Sequence, residues 1–533
     1  MSIEGAVQAA SELTADAQGK LIAALQDPAC YEHHATAPIQ HLETHISHLL
    51  LTGPFAYKIK KPINLGFLDF GTLEQRRFYC EEEVRLNRRL APDDYLDVVA
   101  IRGSLTAPRI NGEGPVLDYA VKMRQFDPDA TLDRLDDQGH LAVRHIDAIA
   151  AALSEFHAKA DSAPTGSNWG SPEMIWAPQA QNLAQLASRT PSGEAQALLE
   201  ALRTWLAGEH ARLAHEFEQR RAHGFVRECH GDLHLGNMVW RDDELLIFDC
   251  IEFSPDLRWI DVMSELAFCY MDLLQRGHQD LAARFLNRYL ERTGDYAGLT
   301  VLRYYAVYRA MVRAKVTYIR ARQPGQAADE AGREELLGLA YLRLASALTR
   351  PSHARLLITH GLSGSGKTTF SQGLIERLGA ICLRSDIERK RLAGLEALAR
   401  TGAGVEEGIY GHDFSRRTYG HLAYLAERLL YAGWTVLVDA TFIARWQREL
   451  LRHVAVACHL PFNILDFPLP HEELRQRVTA RSAAGRDASE ADLDVLEQQL
   501  KTQEPLTTEE ASSVMAATSM EEVLARLERG EPD

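Results

Sequence analysis

The alternation of apolar and polar positions changes rhythm three times along the chain. Up to residue 40 it is that of a short helical extension that becomes irregular and ends near Ala37-Pro38. From Thr44 the apolar residues gather in short β-type runs, HISHLLL and FAYKIKK on either side of Gly53-Pro54, then YLDVVAIRG and VLDYAVKMRQF. These predict strands. One helix interrupts them: FGTLEQRRFYCEEEVRLNRRLA carries apolar or aromatic residues at helical spacing and begins at a Thr72 cap with Glu74 close behind. After Pro128 the rhythm turns helical, enclosing the segment ECHGDLHLGNMVWRDDELLIFDCIEF, polar and Gly-containing in its middle and strand-like at ELLIFD. A long helical stretch runs from Ile260 to about Arg322, and after the break RQPGQAADEAG the helix REELLGLAYLRLASALT leads to Arg350-Pro351-Ser352.

At Ala354 the pattern resets. ARLLITHG, AICLRSD, TVLVDAT and FNILDF alternate with helices, which predicts a parallel, doubly wound sheet. The chain therefore divides into a helical extension (1–40), a first domain (41–325), a helical linker (326–351), an α/β domain (352–507) and a helical tail (508–533). Few features suggest a core shared across the break near 351, so residues from about 352 to 533 are expected to fold alone.

Composition narrows the class. At 533 residues the chain exceeds one core, and with 46% hydrophobic and 25% charged residues it has a globular make-up. The net charge of -16 disfavours general nucleic-acid binding, which needs cations to neutralise phosphates. Seven scattered cysteines without a CxxC pair suit a reduced, cytoplasmic protein, and no apolar run reaches a membrane-spanning length.

Two motifs carry chemistry. Gly361, Leu362, Ser363, Gly364, Ser365, Gly366, Lys367 and Thr368, with Thr369 behind them, fit GxxxxGK[ST] between an apolar strand and a helix. The glycines let backbone N–H groups turn toward phosphates, and the helix N-terminus adds its dipole. Lys367 would reach the β/γ-phosphates of ATP, and Thr368 would ligate Mg²⁺ with Asp439, the acid ending TVLVD. Asp386, followed by Arg389, stands where an acceptor hydroxyl could be held and deprotonated. Arg477, Arg481 and Arg486 surround a Gly-containing loop that would form a lid over the transferring phosphoryl group. Residues 354–507 resemble small P-loop kinases of metabolites or polynucleotide 5′-hydroxyls, on GLSGSGKTT, RSDIERK, VLVDATF and the Arg-rich segment. That resemblance implies ATP-dependent phosphotransfer.

The second motif is His230-Gly231-Asp232-Leu-His234-Leu-Gly236-Asn237, followed after a strand by Asp249. The spacing suits an Asp232 that orients or deprotonates a hydroxyl, with Asn237 and Asp249 as Mg²⁺ ligands. It resembles the aminoglycoside phosphotransferase family of protein-kinase-like small-molecule kinases over about residues 40–325. The resemblance implies a bilobal α+β fold, with Lys58 on ATP phosphates, Lys60 as the alternative, and Glu83 among Glu81, Glu82 and Glu83 as the lysine's partner. It also implies that Asp261 braces the catalytic loop. No GxGxxG precedes Lys58, and Gly231 replaces the arginine of protein kinases. His234 would buttress the loop, and Arg309 and Arg313 at i,i+4 could line an acceptor pocket.

The whole chain looks like a bifunctional fusion, a bilobal protein-kinase-like domain followed by a doubly wound P-loop domain. Small-molecule hydroxyls are the expected acceptors. A polynucleotide 5′-hydroxyl for the P-loop half, or a nucleotide-sensing domain without transfer, remains open.

Overall fold

The computed structural model describes residues 13–529 except 65, 67, 192, 324–326, 351–352, 398, 400–407 and 485–491, with the helical backbone alone at 481–484. The chain forms two compact units, one of Met1–Ala148, Glu155–Ala177 and Phe217–Cys269, the other of Ile149–Ser154, Pro178–Glu216 and Tyr270–Asp533.

The first unit is built on an antiparallel sheet of β1 (Gln40–Glu43), β2 (Ser47–Leu51), β3 (Phe55–Lys60), β4 (Tyr95–Ser104), β5 (Ala107–Ile110) and β6 (Val116–Arg124), in the order β1-β2-β3-β6-β4-β5. Alternation along β3 sends Tyr57 and Ile59 into a core with Leu21 and Leu25 from and just after helix α1 (Ala15–Ala24). Lys58 and Lys60 take the other face. There helix α2 (Leu73–Asn87) packs through Cys80 and Val84 against Tyr95 and Val121. Thr72 caps α2 as expected, but the reciprocal partner of the capping box is Gln75.

Beyond this sheet, β7 (Val226–Glu228) pairs with β10 (Trp259–Asp261), and β8 (Met238–Arg241) pairs with β9 (Glu244–Ile247), both antiparallel. The β8–β9 turn has φ of 54° at Asp242 and 61° at Asp243, the left-handed geometry of a two-residue hairpin turn. Helix α3 (Val262–Gln275) follows β10.

The second unit holds helices α4 (Gln279–Thr293), α5 (Leu299–Arg320) and α6 (Ala328–Leu348) and a sheet whose strands all run parallel. The strands are β11 (Leu356–His360), β12 (Ile381–Arg384), β13 (Val436–Asp439), β14 (Phe462–Asp466) and β15 (Val514–Ala516), ordered β12-β13-β11-β14-β15. The segment expected as a helical tail thus adds an edge strand before its final helix, Met520–Arg529. Helix α6 packs on α5: a Cβ at Gly338 would fall 2.7 Å from the Tyr318 ring. Arg313 donates to Tyr341 Oη of α6 at 3.4 Å, and Arg309 is buried.

The sheet also meets α4 within this unit. Asn287 Nδ2 donates to Ala380 O at 2.9 Å, and its Oδ1 accepts from Cys382 N at 2.7 Å. One buried amide thereby satisfies backbone groups at and just before edge strand β12.

Candidate functional site

Each unit gathers its own set of candidate phosphotransfer groups. In the first, the β3 register places Lys58 across from Val121 of β6, pointing to the face covered by α2. Its Nζ lies 2.8 Å from Glu83 Oε1 and 2.5 Å from Asp249 Oδ1. Burial would lower this ammonium, but Asp249, then Glu83 and Glu252, outweigh it and raise it well above its usual range. Glu83, the partner preferred among three successive glutamates, is fully buried. Lys60 does not compete for phosphate: it is buried, lies 2.7 Å from Glu83 Oε2, and pairs with Glu252 as well.

The loop between β7 and β8 carries the second half of this site. Asn237 Nδ2 donates to Asp232 O at 2.8 Å and to Asp232 Oδ2 at 3.3 Å. The amide is thus oriented, and its carbonyl oxygen is the atom that could meet a cation. His234 Nδ1 accepts the Gly236 N–H at 3.1 Å, and its other nitrogen lies 3.6 Å from Asp232 Oδ2, the buttressing role expected of it. Asp249 sits at φ 65°, uncommon for a residue with a Cβ, and its N–H donates to Tyr95 Oη at 3.1 Å. Gly231 has φ 94°, and a Cβ there would fall 2.9 Å from Leu257 O, so this backbone leaves no room for the arginine of protein kinases.

The expected brace is corrected. Asp261 forms a two-pronged ion pair with Arg220, at 2.6 and 2.9 Å, and accepts from Met263 N. Glu265, one turn further along α3, holds the loop instead, accepting the His230 N–H at 2.8 and 2.9 Å. Burial opposes its charge, but His157, whose Nε2 lies 3.7 Å from Oε2, and His230 outweigh that and hold its carboxyl down at about 2. Sequence reading missed Glu265 and Glu252; the one available signal was an acid inside an otherwise apolar helical run, VMSELAF.

In the second unit the phosphate loop joins β11 to helix α7 (Lys367–Leu378). Gly364 and Gly366 have φ of 86° and 90°, and a Cβ at Gly364 would lie 2.9 Å from Val478. Lys367 Nζ donates to Gly361 O at 2.9 Å, Leu362 O at 2.8 Å and Ser365 Oγ at 3.3 Å. Thr368 Oγ1 donates to Asp439 Oδ2 at 2.8 Å, bringing together two oxygen donors of the kind Mg²⁺ takes. Burial raises the Asp439 carboxyl against the pull of Arg384 and Lys367, and the charge of Asp386 adds to the rise. Asp386 itself is half-buried in the first turn of helix α8 (Ser385–Leu392).

Arg389, expected beside the acceptor with Asp386, is held in part by the segment around Tyr410. It donates to Ile409 O at 2.7 Å and Ser415 Oγ at 3.1 Å, with its guanidinium 5.3 Å from the Tyr410 ring centre. The cation placed beside Asp439 is Arg384, at 4.0 Å, which sequence reading passed over. Helices α9 (His471–Ala484) and α10 (Leu493–Thr502) pack Leu474, Val478 and Leu496 around Leu362 of the loop. Gln499 accepts the Ser363 N–H at 2.9 Å. Arg477 NH1 lies 3.4 Å from where a Cβ on Gly366 would stand. Of the other arginines expected in a lid, the Arg481 side chain and all of Arg486 lie outside the described residues. Thr369 is exposed in the first turn of α7.

Comparison with known proteins matches residues 79–305 to the phosphotransferase enzyme family and residues 356–506 to the AAA domain family. An uncharacterized protein of Mycobacterium tuberculosis is 29% identical over 470 residues, covering 87% of this chain and 91% of that protein. A Mycobacterium bovis protein matches to the same extent. Among solved structures, an amicoumacin kinase in complex with AMP-PNP and Ca²⁺ aligns at TM-score 0.39 and 12% identity, over 62% of this chain and 95% of that one. A sugar kinase from Janibacter sp. aligns at TM-score 0.26 and 21% identity, over 33% and 92%. The chain is thus an ATP-dependent kinase in which a protein-kinase-like phosphotransferase segment precedes a P-loop segment of the AAA type.

Proposed function

We propose that both segments transfer the γ-phosphoryl of MgATP to a hydroxyl of a small molecule. The observation that carries this reading is the duplicated set of groups, each set within one unit: a lysine, a pair of oxygen ligands for Mg²⁺, and a further aspartate. In the first unit Lys58 meets ATP phosphates, Asn237 and Asp249 hold Mg²⁺, and Asp232 orients and deprotonates the acceptor hydroxyl. In the second, Lys367 exchanges loop oxygens for the β/γ-phosphates, Thr368 and Asp439 hold Mg²⁺, and Asp386 serves the acceptor. The divalent ion supplies neutralisation of phosphate charge, and the residues of each site supply position.

The missing glycine-rich loop does not by itself argue for a sensing domain. Lys58 keeps its ion pair to Glu83, one of the two contacts that phosphoryl transfer in kinase-like folds requires, and Asp249 stands beside it, where Mg²⁺ would make the other. We place the protein in a reducing cytoplasm: all seven cysteines are free, and among the described residues no helix is long and apolar enough to cross a membrane.

The test is mass spectrometry of a metabolite extract incubated with ATP and the wild-type chain, Asp232→Asn, or Lys367→Ala. Two sets of new phosphorylated species are expected, one lost with each substitution. An extract with no new phosphorylated species would overturn the proposal.

A further inference from the structure

The hairpin at the start of the first sheet carries side chains that phosphotransfer does not use. Its sequence, HLETHISH, spans β1, the turn and the start of β2. Pairing sets Glu43 across from His48 and His41 across from Leu50. Residues directly opposite, and residues two apart on one strand, share a face. His41, Glu43 and His48 therefore project together. That face is not the one bearing Lys58, because His48 lies across from Ile59 while Lys58 lies across from Leu49.

The ligating atoms converge. His41 Nε2 and His48 Nδ1 are 3.0 Å apart, and with a Glu43 carboxylate oxygen they all lie within 4.8 Å of one another. Two imidazolium rings cannot make such a contact, so at least one of these nitrogens carries a lone pair. Ligand nitrogens about 2.0–2.1 Å from a tetrahedral zinc stand roughly 3.4 Å apart, and small ring adjustments cover the difference. The proton now between the rings would move to a far ring nitrogen or to solvent. Lys61 Nζ holds Glu43 Oε1 at 2.6 Å, which leaves the second carboxylate oxygen for a metal but competes for its charge.

We propose that His41, Glu43 and His48 form a site for Zn²⁺, with water in the fourth position. Two imidazoles and one carboxylate suit Zn²⁺ and disfavour Mg²⁺, which takes oxygen ligands. The site is therefore separate in metal preference from both phosphate sites. Its effect would be mechanical. β1 is a four-residue strand at the sheet edge, and a metal held by one residue of β2 and two of β1 ties that edge to the neighbour of the Lys58 strand.

The experiment uses the full chain without a polyhistidine tag, titrated with ZnCl₂ in millimolar Mg²⁺ and followed by calorimetry and native mass spectrometry. One Zn²⁺ that Mg²⁺ does not displace is expected, with affinity lowered on the order of 100-fold in His41→Ala and in His48→Ala. Lys61→Met should tighten binding by freeing Glu43. Co²⁺ bound in place of Zn²⁺ should give the strong visible absorption of a tetrahedral site, lost in the same two histidine variants. Zinc stoichiometry and affinity unchanged by both histidine substitutions would overturn the proposal, as would displacement by Mg²⁺. Should either alanine variant fail to fold, the cobalt spectrum of the Lys61→Met chain decides: an octahedral spectrum, or none, sinks the site.

Discussion

The two lysines proposed to meet phosphate are held by opposite kinds of partner. Lys58 is locked between two carboxylates, one of them fully buried, whereas Lys367 rests on two carbonyls and a hydroxyl of its own loop. The first arrangement makes the cation part of the fold, because a buried carboxylate without its partner is costly. The second leaves the cation exchangeable, because neutral oxygens lose little when phosphate replaces them. In the proposed reading one lysine is architecture as well as ligand, while the other is held mainly by oxygens of its own loop.

The sharpest way to break this comparison is at the reacting groups. Asp232→Asn is expected to lower transfer in the first unit by about 10²–10⁴-fold while leaving MgATP binding nearly intact, since it removes the base but no metal ligand. Asp249→Asn should instead weaken Mg²⁺-dependent binding, because it removes a ligand and one of the Lys58 partners. Calorimetry in a Lys367→Ala background, which silences the other site, separates the two outcomes. Equal binding defects would contradict the division of roles.

Next comes the contrast between the lysines themselves. Lys60→Met strips two buried carboxylates, Glu83 and Glu252, of a shared cation and is expected to cost about 3–5 kcal/mol. Adding Glu252→Gln should recover part of that loss. Lys367→Ala should leave the urea midpoint unchanged while P-loop transfer falls about 10²–10³-fold. A Lys367→Ala chain destabilised as much as Lys60→Met would erase the distinction.

Acid should separate the units as well. Glu265 is held at about 2 in the folded chain, against about 4.3 for an unperturbed glutamate. A depressed carboxyl stabilises the fold fully above its unfolded value, and that contribution fades as pH falls from about 4.3 toward 2. Asp439 runs the other way: burial raises it, so its protonation favours the folded state as pH falls. Urea midpoints measured down that window should fall less steeply for Glu265→Gln than for the wild type. Parallel slopes would show that Glu265 does not set the acid limit of the loop it holds.

What the sequence shows follows the range of each interaction. The phosphate loop and the His230–Asn237 segment are local, so spacing alone locates them, whereas Glu83, one of three successive glutamates of helix α2, is put forward only by the resemblance to a kinase-like fold. The second partner of Lys60 is 192 residues away, and nothing in the stretch Asp249-Cys250-Ile251-Glu252 marks that carboxylate as its counter-ion. Strands β1, β5 and β15 were missed because runs of three or four residues, largely polar in β1, carry too little alternation. Arg389 illustrates the converse limit. A basic residue in the right motif is visible, but its direction is set by the segment around Tyr410, which no pattern in RSDIERK reveals.

The smallest effect tests how separable the P-loop domain is. Pattern alone puts a boundary near 351, with the α/β segment folding by itself, yet the compact unit runs on from Tyr270. The reason lies at β12, an edge strand of the parallel sheet. A sheet edge needs its N–H and C=O groups answered, and Asn287 of α4 answers those of Cys382 and Ala380 from a buried position. Trp434 Nε1 likewise donates to Leu299 O at 3.2 Å, and Arg284 pairs with Glu376 at 2.9 Å. Asn287→Ala leaves one donor and one acceptor buried without their partner, and about 1–3 kcal/mol of stability should go with them. Asn287→Asp keeps the acceptor for Cys382 N but sets an anion against Ala380 O, so it should fare no better. A fragment of residues 353–533 should then be less stable in urea than one of residues 270–533, by at least the Asn287→Ala increment. Equal midpoints for the two fragments would show that the α/β sheet closes its own edge and that α4 merely leans on it.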